Sequence, residues 1–385
     1  MTATHFACST KSVQCVNVYA IEAPYFDHGA RMILVGSSQT RSIIILLIVG
    51  LFWSFSVDAA ERGTLKRILI LNSLSSYFLD DSINSFKREM ARLGFEEGKD
   101  VSYSVMNAEG DFAYAESMLV EAMIKAPPDL VVTVASLASL VARELLSDTA
   151  IPQIFMIVTD PVGVGFVEAM NTSSQSNITG QTHVVPAEFR LALVSKILET
   201  AKRDKPFRIG VPRSTYSSAI GELSQLRTAA TKFPILEIVD LGFPYVPGEK
   251  GGLAMRDSAL KLIEGNKNSL DGLWLVPGPN ITNPDFVNAI LDTGVPIVNG
   301  GNIRNVRLGA MLAIHSTAEL IGKSGAETAS MILSGTAAGE IPVTRPSKFI
   351  AGVNVSTAAM LGAIVPSEIL ELAQDNVFHQ QGRTN

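Results

Sequence analysis

Unbroken apolar runs and helical apolar stripes alternate along most of the chain. Arg67-Ile-Leu-Ile-Leu71 is a continuous apolar run, the pattern of a strand buried on both faces of a parallel sheet. Polar residues 72–77 follow. Ile83, Phe86, Met90 and Leu93 then recur at helical spacing, with Asp80, Asp81 and Ser82 at the expected start and Gly94 placed to end the helix. Residues 100–106 alternate as a strand. Residues 113–125 carry Met118, Leu119, Ala122 and Met123 on one helical face. Residues 129–134 read as a buried strand, 136–146 as a helix, and 151–158 as a strand ending at Thr159-Asp160-Pro161. This rhythm predicts a doubly wound parallel sheet.

A second series begins after Gly180. Residues 187–201 and 217–232 read as helices, and 207–211, 235–241, 272–276 and 295–298 as strands. Between the last two strands Asn283 caps a helix that has Pro284 at its first position and Gly294 past its end. The tail adds a helix over 318–333, a strand over 349–353 and a helix over 367–373. Two α/β series, each the size of one lobe, are expected.

One stretch does not fit either series. Residues 42–57 are almost wholly apolar, follow Arg41 and end at Val57-Asp58-Ala59-Ala60. A basic flank, a short apolar core and a small-residue cleavage site read as a secretory signal peptide. The run falls short of the roughly 20 residues a spanning helix needs. Met32 lies at a normal signal length from Ala59. Residues 1–31 then become an upstream extension, 32–59 the signal, and the working chain starts near Ala60. The other reading is a cytoplasmic tail before an uncleaved anchor. A cleaved signal implies a periplasmic protein, and with no lipobox cysteine after the run, one without a lipid anchor.

Composition narrows the chemistry. Both cysteines, Cys8 and Cys15, lie in the extension, so the working chain has no disulfide, thiolate nucleophile or cysteine metal ligand. The net charge is −6 and no basic cluster is present, which argues against nucleic acid as a partner. Val162-Gly-Val-Gly165 begins like a dinucleotide fingerprint but lacks the third glycine. There is neither a P-loop nor a Gly-x-Ser-x-Gly elbow. His183, His315 and His379 have no ligand-spaced partners, so no metal site is expected. His183 and His315 read as satisfied polar residues near lobe crossings. No catalytic residue and no cofactor are assigned.

The predicted strand ends are richer, and in open α/β sheets ligands bind outside those carboxyl ends. Ser75, Ser76, Tyr77, Ser136, Ser139, Asp160, Tyr216, Asn280 and Asn299 all fall there, and these are the candidate ligand-binding residues. Each, taken singly, also fits an ordinary cap or turn.

Several stretches, in order, resemble ABC-transporter substrate-binding proteins of the tryptophan/tyrosine-binding type. They are Phe86-Lys-Arg-Glu-Met-Ala-Arg-Leu-Gly-Phe-Glu-Glu-Gly-Lys99, Thr159-Asp-Pro-Val-Gly163, Asn177-Ile-Thr-Gly180, and the segment Lys348-Phe-Ile-Ala-Gly-Val-Asn-Val-Ser-Thr-Ala-Ala-Met-Leu-Gly-Ala-Ile-Val-Pro366. The resemblance implies a type I periplasmic-binding fold: two Rossmann-like lobes with parallel sheets, joined by a three-stranded hinge. It places the crossings near 181–185, 314–317 and 341–346. Lobe 1 is then 60–182 plus 316–340, and lobe 2 is 183–315 plus 341–385. It implies that the loop of residues 135–139 grips a ligand carboxylate. Where the family often has Asp-Asn, which can pair with a ligand ammonium, this chain has Pro279-Asn280.

The function expected from these readings is that of a monomeric, non-enzymatic solute-binding protein. It captures a small polar molecule, an amino acid or related compound, and delivers it to an inner-membrane ABC permease. The alternatives are a periplasmic sensor input for a membrane receptor and an enzyme built on the same fold.

Overall fold

The computed structural model describes residues 64–379; the expected extension and signal segment lie outside them. The chain opens with β1 (Lys66–Asn72), whose side chains supply both faces of one sheet. Ile68 and Ile70 pack into a cluster with Phe86 and Met90, whereas Leu69 and Leu71 pack into another with Leu119 and Val141. This two-sided burial is what the unbroken apolar run predicted. The elements that follow are α1 (Tyr77–Arg92), β2 (Val101–Asn107), α2 (Phe112–Lys125), β3 (Leu130–Val134), α3 (Ser136–Leu146), β4 (Gln153–Met156) and β5 (Ile178–Gln181). Their strands form a five-stranded, wholly parallel sheet in the order β2-β1-β3-β4-β5.

A second run builds the other sheet: α4 (Ala187–Leu198), β6 (Phe207–Ser214), α5 (Ser217–Ala230), β7 (Leu236–Phe243), α6 (Glu249–Asn266), β8 (Gly272–Trp274), α7 (Pro284–Leu291), β9 (Ile297–Asn299), α8 (Ile303–Leu308) and β10 (Leu312–His315). The chain then returns to the first sheet as α9 (Ala318–Leu333), and comes back as β11 (Ile350–Asn354), α10 (Val355–Met360), α11 (Ser367–Ala373) and β12 (Val377–Phe378). The second sheet has seven strands in the order β12-β11-β10-β9-β8-β6-β7, parallel except where β11 runs against β10. The result is an α/β protein of two Rossmann-like lobes, linked where the chain passes between the sheets after β5, after β10 and before β11.

Small residues let α9 dock. A Cβ at Gly322 would lie 2.3 Å from the Ser82 carbonyl oxygen, and one at Gly325 would lie 2.5 Å from Met156 Sδ. Ser85 Oγ also donates to the Glu319 carbonyl at 3.0 Å. The crossings before α4 and before β11 run side by side: Thr344 N donates to Gly180 O and Thr182 N to Thr344 O, each at 3.1 Å.

Several family-like motifs have structural duties. Asn177 Nδ2 donates to the carbonyls of Leu146 (2.7 Å), Thr149 (3.3 Å) and Ile151 (2.9 Å), closing the loop before β4. Asn354 Oδ1 accepts from Ser356 N and Thr357 N to cap α10.

Some elements differ from expectation. The first helix begins at Tyr77, capped by Ser76, rather than at Asp80. Helices α6 and α8 and strand β5 had not been expected. Helix α6 contains Gly251, Gly252 and Gly265, which mask its helical preference, and α8 spans only 6 residues.

Candidate functional site: the cleft between the sheets

The carboxyl ends of strands from both sheets line a cavity of about 120 Å³. Leu74 and Ser76 come from the end of β1, Ala135 from β3, Ile157 and Thr159 from β4, Tyr216 from β6, Leu275 and Pro277 to Pro279 from β8, and Asn299 from β9. His183 and His315 come from two of the crossings. The two lobes also touch beside the cavity. Tyr245 Oη donates to the Gly110 carbonyl at 2.9 Å, and the Arg304 guanidinium stands 3.6 Å from the centre of the Tyr77 ring.

Two wall residues have strained backbone. Ala135 has φ 67° and ψ 170°, a region occupied almost exclusively by glycine. Ile157, β-branched, has φ 64°. Such residues cost about 1–3 kcal/mol each, and they cluster where a site needs a fixed backbone shape.

Polar groups in the wall lack partners inside the protein. Thr159 Oγ1, His183 Nδ1 and Tyr216 Oη are buried without a hydrogen bond. An unsatisfied buried polar atom costs about 1–3 kcal/mol, and three such atoms on residues that line one cavity mark it as a surface suited to a polar ligand. Burial lifts the Tyr216 phenol well above its ordinary value, so it remains a hydroxyl donor. Burial, aided by the nearby Arg190 charge and by His315, lowers His183 to about 3 and keeps it neutral. His315 is held down by burial as well, but both its nitrogens are engaged. Nδ1 lies 2.8 Å from the Ser316 carbonyl and Nε2 accepts from Ile303 N at 3.2 Å, an arrangement that requires the Nδ1–H tautomer. The expectation of a satisfied histidine therefore fits His315 but not His183.

The ionic side chain in the wall is Arg190. It is buried, donates through Nε to Val185 O at 2.8 Å, and forms a two-pronged pair with the fully buried Glu222 at 2.5 and 2.9 Å. Trp274 Nε1 donates to the same carboxylate at 3.3 Å. None of the described residues lining this cavity is an Asp or a Glu.

Of the residues expected from sequence, Ser76, Tyr77, Tyr216 and Asn299 line the cavity. Asn299 is anchored there by donation from Nδ2 to Leu275 O at 3.1 Å. The other five stand elsewhere. Ser139 Oγ donates back to Ala135 O at 2.8 Å and lies 2.9 Å from Thr133 Oγ1, which fixes it behind the wall. Ser136 is buried beside it and also does not face the cavity. Asp160 Oδ1 accepts from Gly163 N at 3.0 Å and shapes the following turn. Ser75 is exposed, and Asn280 faces a small neighbouring crevice. Thr159, at a strand end read from the sequence, lines the cavity as well, whereas sequence reasoning missed His183 and Arg190. Arg190 did leave a signal: it sits on the buried stripe of α4, between Ala187 and Val194, where an arginine demands a buried counter-charge.

The comparisons with known proteins agree with this architecture. Residues 67–237 match the model of a family described as ABC transporter substrate binding protein. A search of curated protein sequences finds no match. Among solved structures, the chain resembles an ABC domain in complex with L-Trp from Streptococcus pneumonia, at 20% identity and a TM-score of 0.68, covering 82% of this chain and 100% of that one. It resembles a conserved domain protein from Vibrio cholerae at 20% identity and a TM-score of 0.66, with the same coverage. An ABC transporter solute binding protein from Agrobacterium vitis with bound allitol shares the fold at 13% identity and a TM-score of 0.54, covering 77% and 97%.

Proposed function

We propose that the chain, whose residues 67–237 match the model of a family described as ABC transporter substrate binding protein, captures one small solute between its lobes and presents it to an ABC permease. The observation that carries this reading is the cavity at the sheets' carboxyl ends, lined by three residues whose buried polar atoms have no partner within the protein. Solved structures that share the fold hold small molecules: L-Trp in one, allitol in another, myo-inositol in a third. Ligand contacts in both lobes would favour the closed arrangement and shift the open–closed equilibrium.

The finer assignments belong to the same proposal. The protein works outside the cytoplasmic membrane, in the periplasm, after removal of the segment 32–59. It acts as a monomer and without catalysis, and lobe 1 comprises 60–182 plus 316–340. Among the described residues no helix is long and apolar enough to cross a membrane. Ser76, Tyr77, Thr159, His183, Tyr216 and Asn299 are the residues proposed to touch the solute.

The test couples binding to uptake. A solute that raises the melting temperature of the purified protein should no longer be accumulated by cells lacking the gene. Uptake that persists unchanged, with loss of a signalling response to the same solute, would replace transport by sensing.

A further inference from the structure

We infer that the cleft selects an amine-free organic acid with a body about the size of one ring, and discriminates against the corresponding α-amino acid. This deepens the solute-binding reading above and rests on it. The first observation is the charge of the wall. An ammonium taken out of water needs a carboxylate beside it, or it stays uncompensated at a cost of several kcal/mol. No Asp or Glu is among the described residues that line the cavity. The neighbouring carboxylates are committed elsewhere: Glu222 to Arg190, Asp80 to the Asn72 amide at 3.2 Å, and Asp160 to Gly163 N. An aromatic face could hold a cation instead, but the face of Tyr77 already carries Arg304.

The second observation is the sign of what remains. Arg190 reaches the wall already paired with Glu222, and helix α5 begins there at Tyr216 with no side chain capping its first amides. A helix N-terminus favours negative charge. The hydroxyls of Thr159 and Tyr216, both more than nine-tenths buried and unpartnered, are donors suited to carboxylate oxygens. The third observation is size. A cavity of about 120 Å³ is close to the ~150 Å³ that holds a benzene ring, and Leu74, Phe78, Ile157, Leu275 and Ile281 give it apolar walls.

The test holds the carbon skeleton fixed and varies the charge. Hydrocinnamate, hydrocinnamamide, L-phenylalanine and phenethylamine are titrated into the protein by calorimetry. The pairs desaminotyrosine with L-tyrosine and isocaproate with L-leucine, and a set of sugars and polyols, are screened alongside by thermal shift. At least one acid should bind ten-fold or more tightly than its amino acid, with phenethylamine weakest. An amino acid that binds as tightly as its desamino partner, or a response confined to the sugars and polyols, overturns the inference and leaves the solute-binding reading standing. No response to any compound from a protein that still melts cooperatively overturns both. In the variant Tyr216→Phe the advantage of acid over amide should shrink several-fold; an unchanged advantage would also overturn the inference.

Discussion

At the scale of single residues, the cavity wall trades stability for shape, and the trade can be measured. Ala135 occupies a glycine-only conformation at φ 67° and ψ 170°. Ala135→Gly should therefore stabilise the protein by about 1 kcal/mol or more, read as a higher urea midpoint. The opposite sign is expected at Glu222. Glu222→Gln leaves the buried Arg190 guanidinium without its counter-charge and should cost about 3–5 kcal/mol in the same assay. The histidines set a pH dependence. In the unfolded chain they titrate near 6.5, whereas in the fold His183 sits at about 3 and His315 is also lowered. Below 6.5 the unfolded chain takes up protons that the folded chain refuses. Stability is thus complete above about pH 6.5 and falls as the pH drops toward 3, by up to about 1.4 kcal/mol per pH unit from His183, with His315 acting in the same direction. Denaturant curves at about pH 7 and about pH 5.5 should show the drop, and His183→Gln should flatten it. The part of the site legible in the sequence was its location, because strand ends can be read from apolar runs. Which side chains face inward was not legible. Ser139 and Ser76 look alike in sequence, yet one turns back to Ala135 O and the other lines the cavity.

At the scale of elements, periodicity sufficed wherever a stripe or run was long. The two α/β series, the capped helix after Asn283 and the returning helix α9 all stand where the pattern put them. It failed where propensity was diluted by glycine, as in α6, or where an element was too short to show a period, as in α8 and β5. The docking of α9 on α1 carries a sharp prediction. Gly322→Ala places a methyl group 2.3 Å from the Ser82 carbonyl oxygen, a backbone atom that cannot step aside. The two helices must separate, and the melting temperature should fall by several degrees, as followed by circular dichroism. Gly265→Ala meets nothing within 4 Å and serves as the control.

At the scale of the whole molecule, the contacts that hold the lobes together beside the cavity include Tyr245 Oη to Gly110 O and Arg304 on Tyr77. Tyr245→Phe removes the first contact without changing the shape of the side chain. The unliganded protein should then populate a more open form, seen as a larger radius of gyration in solution scattering; an unchanged radius would show that this bond does not restrain the lobes. The threefold passage between the sheets has another effect, on the order in which the protein can come into being. A chain delivered from its N-terminus does not finish its first lobe when β5 ends at Gln181, because α9 must still arrive at 318–333. The second lobe waits for β11 and β12, at 350–354 and 377–378. Neither half is therefore complete until residues beyond 318 have appeared, so a nascent chain stays incompletely folded for most of its synthesis.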